Sequence, residues 1–396
     1  MTLDEILQPH GEAHFLANAF GRTALHASGS KNRFDQLFSW EALNHLLEYG
    51  GLGYPRLRLT NAGRDLAEDV YLAPGLTGYR RPMVSGLNSA LRDGARIFVE
   101  SAEELCEPLS ELCESLERDL QLPVAADVHA SCQSGAGGEL QHAEQDCLVV
   151  QVSGCGGWSL YVPSDSEVRS AAAALVSASP EAAWRGTVSE GDVLYVPSGW
   201  SYTNPSRDGP SLFVAVRFRR PSATEFLEYF LQRLKICSPL AGSRCPDLWE
   251  LLEQSNFLEI FQAEAGRVLT QPGLLLGFLK DWRSCAPMRG HFSLPYAAMR
   301  SRWSPGFGST VKPLVRFPKI DGYRWAEDDY GIALRVDGKL VRLSTDAAML
   351  LDTVFSSESA TVQSVAAACA NALTEDRVVE LIAEMVGLGV LVIQSG

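Results

Sequence analysis

The chain predicts an α+β protein. Its core is a set of short β-strands closed as a barrel or sandwich, entered through helices and followed by a helical segment and a small module of three helices with a hairpin. Three observations predict it. Between Pro123 and Phe218, short apolar or alternating runs are separated by glycine and proline turns. On both sides of that stretch the apolar spacing becomes helical. From residue 321 onward, a hairpin pattern sits among three short helical patterns.

Bulk properties narrow the function. A length of 396 residues suggests two or three domains, and 46% hydrophobic with 21% charged residues is ordinary globular composition. The net charge of −14 argues against an extended nucleic-acid footprint. It leaves room for a basic polypeptide or a small molecule, and it also serves plain solubility. Nine cysteines are scattered without a CxxC pair, which fits reduced thiols and a cytoplasmic location. The polar, acidic start MTLDEILQPHGEAHF has no signal-peptide pattern, and no run of 18 apolar residues offers a membrane span.

Residues 1–50 read as helical, with Ser39 capping the segment that begins at Trp40. Leu105, Leu109, Leu112 and Leu116 form a helical stripe. The strand candidates are Val124–Ser131, Cys147–Val152, Trp158–Val162, Asp192–Val196 and Ser211–Phe218, with a helical insertion over Ala171–Ala183. Helix returns over 222–283, with one stripe of Phe226, Tyr229, Phe230, Leu231 and Leu234 and another of Leu248, Leu251 and Leu252. Residues 284–320, rich in Pro, Gly and Arg, read as a linker.

The expected domains are therefore 1–221, 222–320 and 321–396. In the last, a hairpin from Ile332 to Leu343 turns at Asp337-Gly338, and Ser344 caps a helix through Leu351. Two more helices and a closing strand complete a winged-helix-like pattern. Five Lys/Arg against twelve Asp/Glu give 321–396 a net of −7, the wrong sign for reading DNA. This module is expected to pack or to contact protein.

The most informative segment runs Ala136-Gly-Gly-Glu-Leu-Gln-His142-Ala-Glu144-Gln-Asp-Cys-Leu-Val-Val-Gln151-Val-Ser-Gly-Cys-Gly156-Gly-Trp158-Ser-Leu-Tyr161. With Gly191-Asp192-Val-Leu-Tyr-Val-Pro-Ser-Gly-Trp200-Ser-Tyr202 and Phe34-x-x-Leu37-Phe38-Ser39-Trp40, it resembles the JmjC hydroxylases of the ribosomal oxygenase type. The resemblance implies a double-stranded β-helix (cupin) core, a helical dimerisation segment and a terminal winged helix. It also implies Fe(II) and 2-oxoglutarate as cofactors, a polypeptide substrate and a homodimer. Chemistry of that kind needs two histidines and a carboxylate on one face of the metal, and a lysine for the distal carboxylate of 2-oxoglutarate.

The sequence departs from that set. Tyr202 stands at the distal histidine position and Gly156 at the lysine position. Counting ten residues back from Gln151, without a gap, puts Gln141 and Ala143 at the first histidine and carboxylate. A one-residue deletion puts His142 and Glu144 there instead, at the cost of a strand slip that a bulge would have to absorb. A recast metal site would draw on His142, Glu144, Tyr202 and His129, because Asp127 and His129 match inward-facing positions of the preceding strand. The competing reading makes His142 a rim histidine and His129 a hydrogen-bonded core residue. Asp127, Trp200 and Tyr202 are the candidate substrate-binding residues. Trp158 and Tyr195 read as core. Gly135–Gly138 reads as a strand turn more readily than an anion cradle.

Two functions compete. One is a pseudo-oxygenase or partner subunit that keeps a peptide-holding cleft after losing or altering its Fe(II)/2-oxoglutarate chemistry. The other is an active peptide or protein hydroxylase with a nonstandard metal site at His142 and Glu144. A tailoring enzyme for a peptide natural product, metal-free or with a different metal, is a third reading, since the fold does not dictate the chemistry.

Overall fold

The computed structural model describes residues 1–75, 79–134, 138–163, 181–238, 256–284, 293–294, 309–313, 326–328, 331–336, 339–356 and 359–394. Several expected features lie outside these residues: most of the Gly135–Gly138 turn, nearly all of the Ala171–Ala183 insertion, the stripe of Leu248, Leu251 and Leu252, the Asp337-Gly338 turn and nearly all of the 284–320 linker. Contacts divide the chain into two units, Met1–Arg219 and Arg220–Gly396.

The first unit is built on one large antiparallel sheet. Its strands are β1 (Leu25–Ala27), β2 (Leu57–Asn61), β3 (Arg64–Asp65), β6 (Arg96–Val99), β7 (Val124–Ser131), β8 (Gln141–His142), β9 (Asp146–Tyr161), β10 (Trp184–Ser189), β11 (Val193–Val196), β12 (Ser201–Thr203) and β13 (Ser206–Phe218). Between β3 and β6, a separate ribbon pairs β4 (Leu72–Pro74) with β5 (Arg80–Pro82). The main sheet runs β1-β11-β9-β13-β7-β6-β2-β3, and β10, β12 and β8 pair onto or beside β9. The long β9 is the spine, pairing with β13, β11, β10 and β12 along its length. The expected strands Cys147–Val152 and Trp158–Val162 are two ends of this one strand. They bend at Gly154, whose φ is +71° and where a Cβ would meet the Pro210 carbonyl oxygen at 2.1 Å.

The helices Trp40–Tyr49 and Glu107–Leu120 lie where the sequence placed them, but residues 1–50 are not helical throughout, because β1 runs through them and pairs with β11. Ser39 caps the helix Trp40–Tyr49 by accepting the Ala42 N–H at 3.2 Å. The helix Glu107–Leu120 has Pro108 in its first turn and buries Leu109, Leu112 and Leu116, while Leu105 precedes it at the end of a 3₁₀ turn. The first strand residues of β7 have no partner on the β6 side. The buried carboxylates of Glu117 and Glu103 accept the N–H groups of Val124 and Ala126 instead, at 3.1 and 2.9 Å.

In the second unit the helices Ala223–Cys237, Phe257–Leu269 and Leu274–Ser284 share a small core of Phe230, Leu234, Val268 and Leu274. Ser222 caps the first with a reciprocal Glu225 bond. The last strands are β14 (Thr310–Pro313), β15 (Ala326–Asp328), β16 (Gly331–Val336), β17 (Lys339–Leu343), β18 (Ala360–Thr361) and β19 (Leu391–Gln394). They form two three-stranded sheets, β18-β14-β19 and β15-β16-β17. The helices Ala347–Phe355, Val362–Cys369 and Glu375–Gly387 close a dense core around Leu350, Val365, Leu381 and Met385. Ser344 does not cap the first of these helices. Its carbonyl closes a turn with the Ala347 N–H at 3.0 Å, and the helix starts behind Asp346. Thr361 and Thr374 do cap the other two.

Candidate functional site: a ring-walled cleft in the barrel

Register sets the inner wall of the barrel. Arg58 stands opposite Phe98, Phe98 opposite His129, His129 opposite Phe213, and Phe213 opposite Gln151, across β2, β6, β7, β13 and β9. Side chains of one face lie two residues apart, so the next row holds Glu100, Asp127, Ala215 and Val149, and Arg217 opposite Cys147 begins the row after it. Five rings run along this wall. Phe98 and His129 have centroids 4.1 Å apart, His129 and Phe213 are stacked at 4.5 Å, Phe213 meets Trp158 at 5.6 Å, and Trp158 stacks on Tyr202 at 5.4 Å. With Arg58, Glu100, Asp127, Cys147 and Arg217 they line a cleft of about 300 Å³.

The positions matched to metal ligands lie at one side of this cleft. On β8 and β12, Gln141 faces Tyr202 and His142 faces Ser201. The Tyr202 hydroxyl donates to Gln141 Oε1 at 2.8 Å. Ala143 is buried against Trp158 and Trp200, its N–H and C=O held by the Trp200 carbonyl and the Gly199 N–H. His142 and Glu144 are exposed at the rim, and His142 Nδ1 sits 2.8 Å from Ser201 Oγ. The strand therefore follows the ungapped alignment, with Gln141 against Tyr202 and Ala143 inward. Among the described residues no three His, Cys, Asp or Glu side chains gather to hold a metal ion. His142, Glu144 and His129 are thus not brought together. His129 sits further along the row of rings, between Phe98 and Phe213.

At the position matched to lysine, Gly156 lies on β9 opposite Val188 and Ser206. A Cβ there would meet Trp158 Nε1 at 3.0 Å, so the indole occupies the space where a longer side chain would begin.

The substrate candidates separate. Tyr202 lines the cleft. Asp127 also lines it but is fully engaged: Arg217 Nε lies 2.6 Å from one oxygen, and the other accepts from Arg217 at 2.8 Å and the Ser101 N–H at 3.0 Å. Trp200 is 9% exposed, packs in the core cluster and does not line the cleft. Several motif residues are scaffold. Asp192 fixes the turn at Gly191 by accepting the N–H groups of Ser189 and Gly29 and bonding His26. The fully buried Asp146 accepts from Tyr195 and the Ser198 N–H. The Gln151 amide ties the bulge through Ser211 Oγ and the Ser153 carbonyl.

Burial sets the electrostatics. It raises the Cys147 thiol to about 12, and it raises the Tyr202 phenol well above its ordinary value, so both stay protonated. Burial, then the fields of Arg96, Arg217 and Arg58, push the His129 imidazole well below its usual value, and it is neutral. Burial raises Asp127 despite the opposing pull of Arg217. Sequence reasoning missed Arg58, Phe98 and Arg96, because β2 and β6 are too short to show alternation. Arg217 was missed as well, although the Phe213-x-Ala215-x-Arg217 phase of β13 carries its signal.

Comparison with known proteins agrees with this architecture. Residues 104–226 match the family model of the JmjC domain. No curated protein matches the sequence. Among solved structures, YcfD, a ribosomal oxygenase from Escherichia coli, is similar at TM-score 0.58 and 15% identity, covering 97% of this chain and 98% of that one. A crystal structure of the same protein gives TM-score 0.60 over 96% and 98% of the two chains. YcfD has also been solved with cobalt and 2-oxoglutarate.

Proposed function

We propose, from a chain that carries a JmjC domain on a ribosomal-oxygenase-like fold, that this protein is a polypeptide-binding pseudo-oxygenase or partner subunit whose Fe(II)/2-oxoglutarate chemistry is lost or altered. One observation carries the reading. Where the family places two metal-binding histidines, this chain has Gln141 and Tyr202, and they are hydrogen-bonded to each other. Ala143 at the carboxylate position has no donor atom, and the phenol is held protonated. An amide, a methyl group and a neutral phenol do not fit a facial triad. Gly156, with the Trp158 indole over it, does not fit a 2-oxoglutarate lysine. No catalytic step is therefore assigned to that metal or cosubstrate.

A retained cleft supports polypeptide binding, and the net charge of −14 favours a basic partner over nucleic acid. The helices of the second unit support a homodimer, because they leave Leu227, Leu231, Leu258, Phe261 and Leu275 on the surface at 40–72% exposure. Light scattering on the full chain, and on a Leu258→Glu/Leu275→Glu variant, tests that part: a wild-type monomer refutes it. The thiols and the lack of any membrane-spanning helix among the described residues agree with a cytoplasmic location.

The central test is metal content and 2-oxoglutarate turnover of purified protein reconstituted anaerobically with Fe(II). Two variants accompany it: His142→Ala/Glu144→Ala, and a rebuilt Gln141→His/Ala143→Asp/Tyr202→His. Wild type should hold no stoichiometric iron and make no succinate, while the rebuilt site gains about one metal ion per chain. Succinate from wild type that disappears in the His142/Glu144 variant would refute the proposal and establish the hydroxylase with a nonstandard site.

A further inference from the structure

We propose that the inner half of the cleft is a pocket for one uncharged aromatic side chain of the bound polypeptide, a phenyl, phenol or indole, and that the charged outer half holds the chain on either side of it. This pocket presupposes the polypeptide-binding reading and names the part of the chain that enters.

The lining divides by chemistry. Ala143, Val149, Trp158, Val196, Phe213 and Ala215 line the cleft and also belong to one buried apolar cluster, none of them more than 8% exposed. The cleft therefore opens into the hydrophobic interior of the barrel instead of running over its surface. The charged lining residues reach solvent. The side chains of Arg58 and Arg217 are 33% and 28% exposed, and Glu144 is exposed at the rim. They mark the mouth.

The inner half offers a charged group little. The Tyr202 hydroxyl is spent on Gln141 Oε1, and burial keeps both that phenol and the Cys147 thiol protonated. A charge moved there would lose its hydration against methyl groups and ring faces. An aromatic ring meets no such cost. Tyr202, Trp158 and Phe213 follow one another at 5.4 and 5.6 Å between centroids, and His129 continues the series 4.5 Å from Phe213. A further ring joins such a series at the separations where stacked and edge-to-face pairs attract.

Size agrees. An apolar cavity of about 150 Å³ is enough to hold benzene. The cleft, at about 300 Å³, has room for one ring, its linking methylene and part of the chain that carries it. The altered ligand positions acquire a use on this reading. Ala143 and Tyr202 replace a carboxylate and a histidine of the family with a methyl group and a ring, and both line the pocket. A mouth that carries both signs, Arg58 and Arg217 with Glu100 and Glu144, suits the amides and mixed charge of a polypeptide better than a lone hydrocarbon.

Calorimetry on the full chain tests the pocket with a Lys/Gly host peptide carrying one central guest: Phe, Trp, Leu, Ala or Arg. Phe and Trp should bind at least about tenfold more tightly than Ala, with Leu between them and Arg no tighter than Ala. Ala143→Leu, which fills the inner end, should bring the Phe guest down to the affinity of the Ala guest. If that variant folds poorly, a 4-fluorophenylalanine guest on the wild-type chain decides: its fluorine should show an Overhauser contact to the Ala143 methyl protons. Equal affinity of all guests, tightest binding of the Arg guest, or a bound fluorine without that contact overturns the inference and leaves polypeptide binding intact. Indole and p-cresol serve as free aromatic probes. Their binding at the Ala143 end without binding of any host peptide refutes the polypeptide reading and leaves a ring pocket for a small molecule. Failure of peptides and free probes alike overturns both.

Discussion

The Tyr202 hydroxyl donates to Gln141 Oε1 across 2.8 Å, and the Tyr202 ring stacks on Trp158 at 5.4 Å. The first contact turns two would-be ligand positions into one satisfied polar pair. The second buries the phenol, which raises its ionisation above the ordinary tyrosine range. An ultraviolet titration should therefore show Tyr202, with the buried Tyr71, ionising only after the exposed tyrosines. Tyr202→Phe should remove its share of that late component and cost about 1 kcal/mol in a denaturant melt, the net worth of one neutral hydrogen bond. A normal phenol titration at this position would show that the pair does not persist in solution.

His129 ties pH to stability. Burial and the neighbouring guanidinium groups hold its folded-state value well below 6.5, so the folded chain keeps the ring neutral while the unfolded chain takes up a proton. Below pH 6.5 the unfolded state binds more protons, and stability falls as pH falls. Its contribution is fully present above pH 6.5. The slope from one such group is at most about 1.4 kcal/mol per pH unit. Urea melts between pH 7.5 and 5 should show that loss in wild type and a flatter profile in His129→Gln. Parallel profiles would mean the ring is not buried neutral.

Much of the fold was legible because its signals are local. The alternation of Val124–Ser131, the turn at Gly191-Asp192 and the Ser39 cap each reside in a few consecutive residues. Strands β2, β6 and β12 were not legible. Three to five residues such as Arg96-Ile-Phe-Val99 carry too little period to declare a face, and their identity as strands depends on partners far along the chain. The site divided the same way. That the ligand positions were altered could be read directly at Tyr202 and Gly156. Whether Gln141 or His142 faced inward could not, because a one-residue slip exchanges every side chain between faces. Only the pairing of β8 with β12 places Gln141 opposite Tyr202.

Asp127 was a substrate candidate, and the structure makes it a strut. Its carboxylate spans from Arg217 on β13 to the Ser101 N–H. Burial raises its folded value, so its charged form is itself a burden above that value, and the ion pair offsets that burden. Asp127→Ala should strand the Arg217 guanidinium and destabilise the first unit by about 2 kcal/mol, discounted because Arg217 is 28% exposed. Asp127→Ala/Arg217→Met should recover most of that loss. A double variant no more stable than the single one would assign the cost to Ser101 rather than to the stranded charge.

Gly154 sets the bend that lets one strand serve both halves of the barrel. Its φ of +71° lies in the left-handed region, and a Cβ would come within 2.1 Å of the Pro210 carbonyl oxygen. The register of β9 against β13 shifts beside it, at Leu212 and Phe213, so the same bend aims Phe213 at His129. Gly154→Ala therefore has to move backbone, not a flexible side chain. It should cost more than about 2 kcal/mol in a thermal or urea melt. Because Phe213 carries one side of the His129 stack, the surviving folded fraction should also show a changed His129 ring-proton shift. An unchanged shift in a destabilised variant would confine the role of the bend to the scaffold and separate it from the cleft.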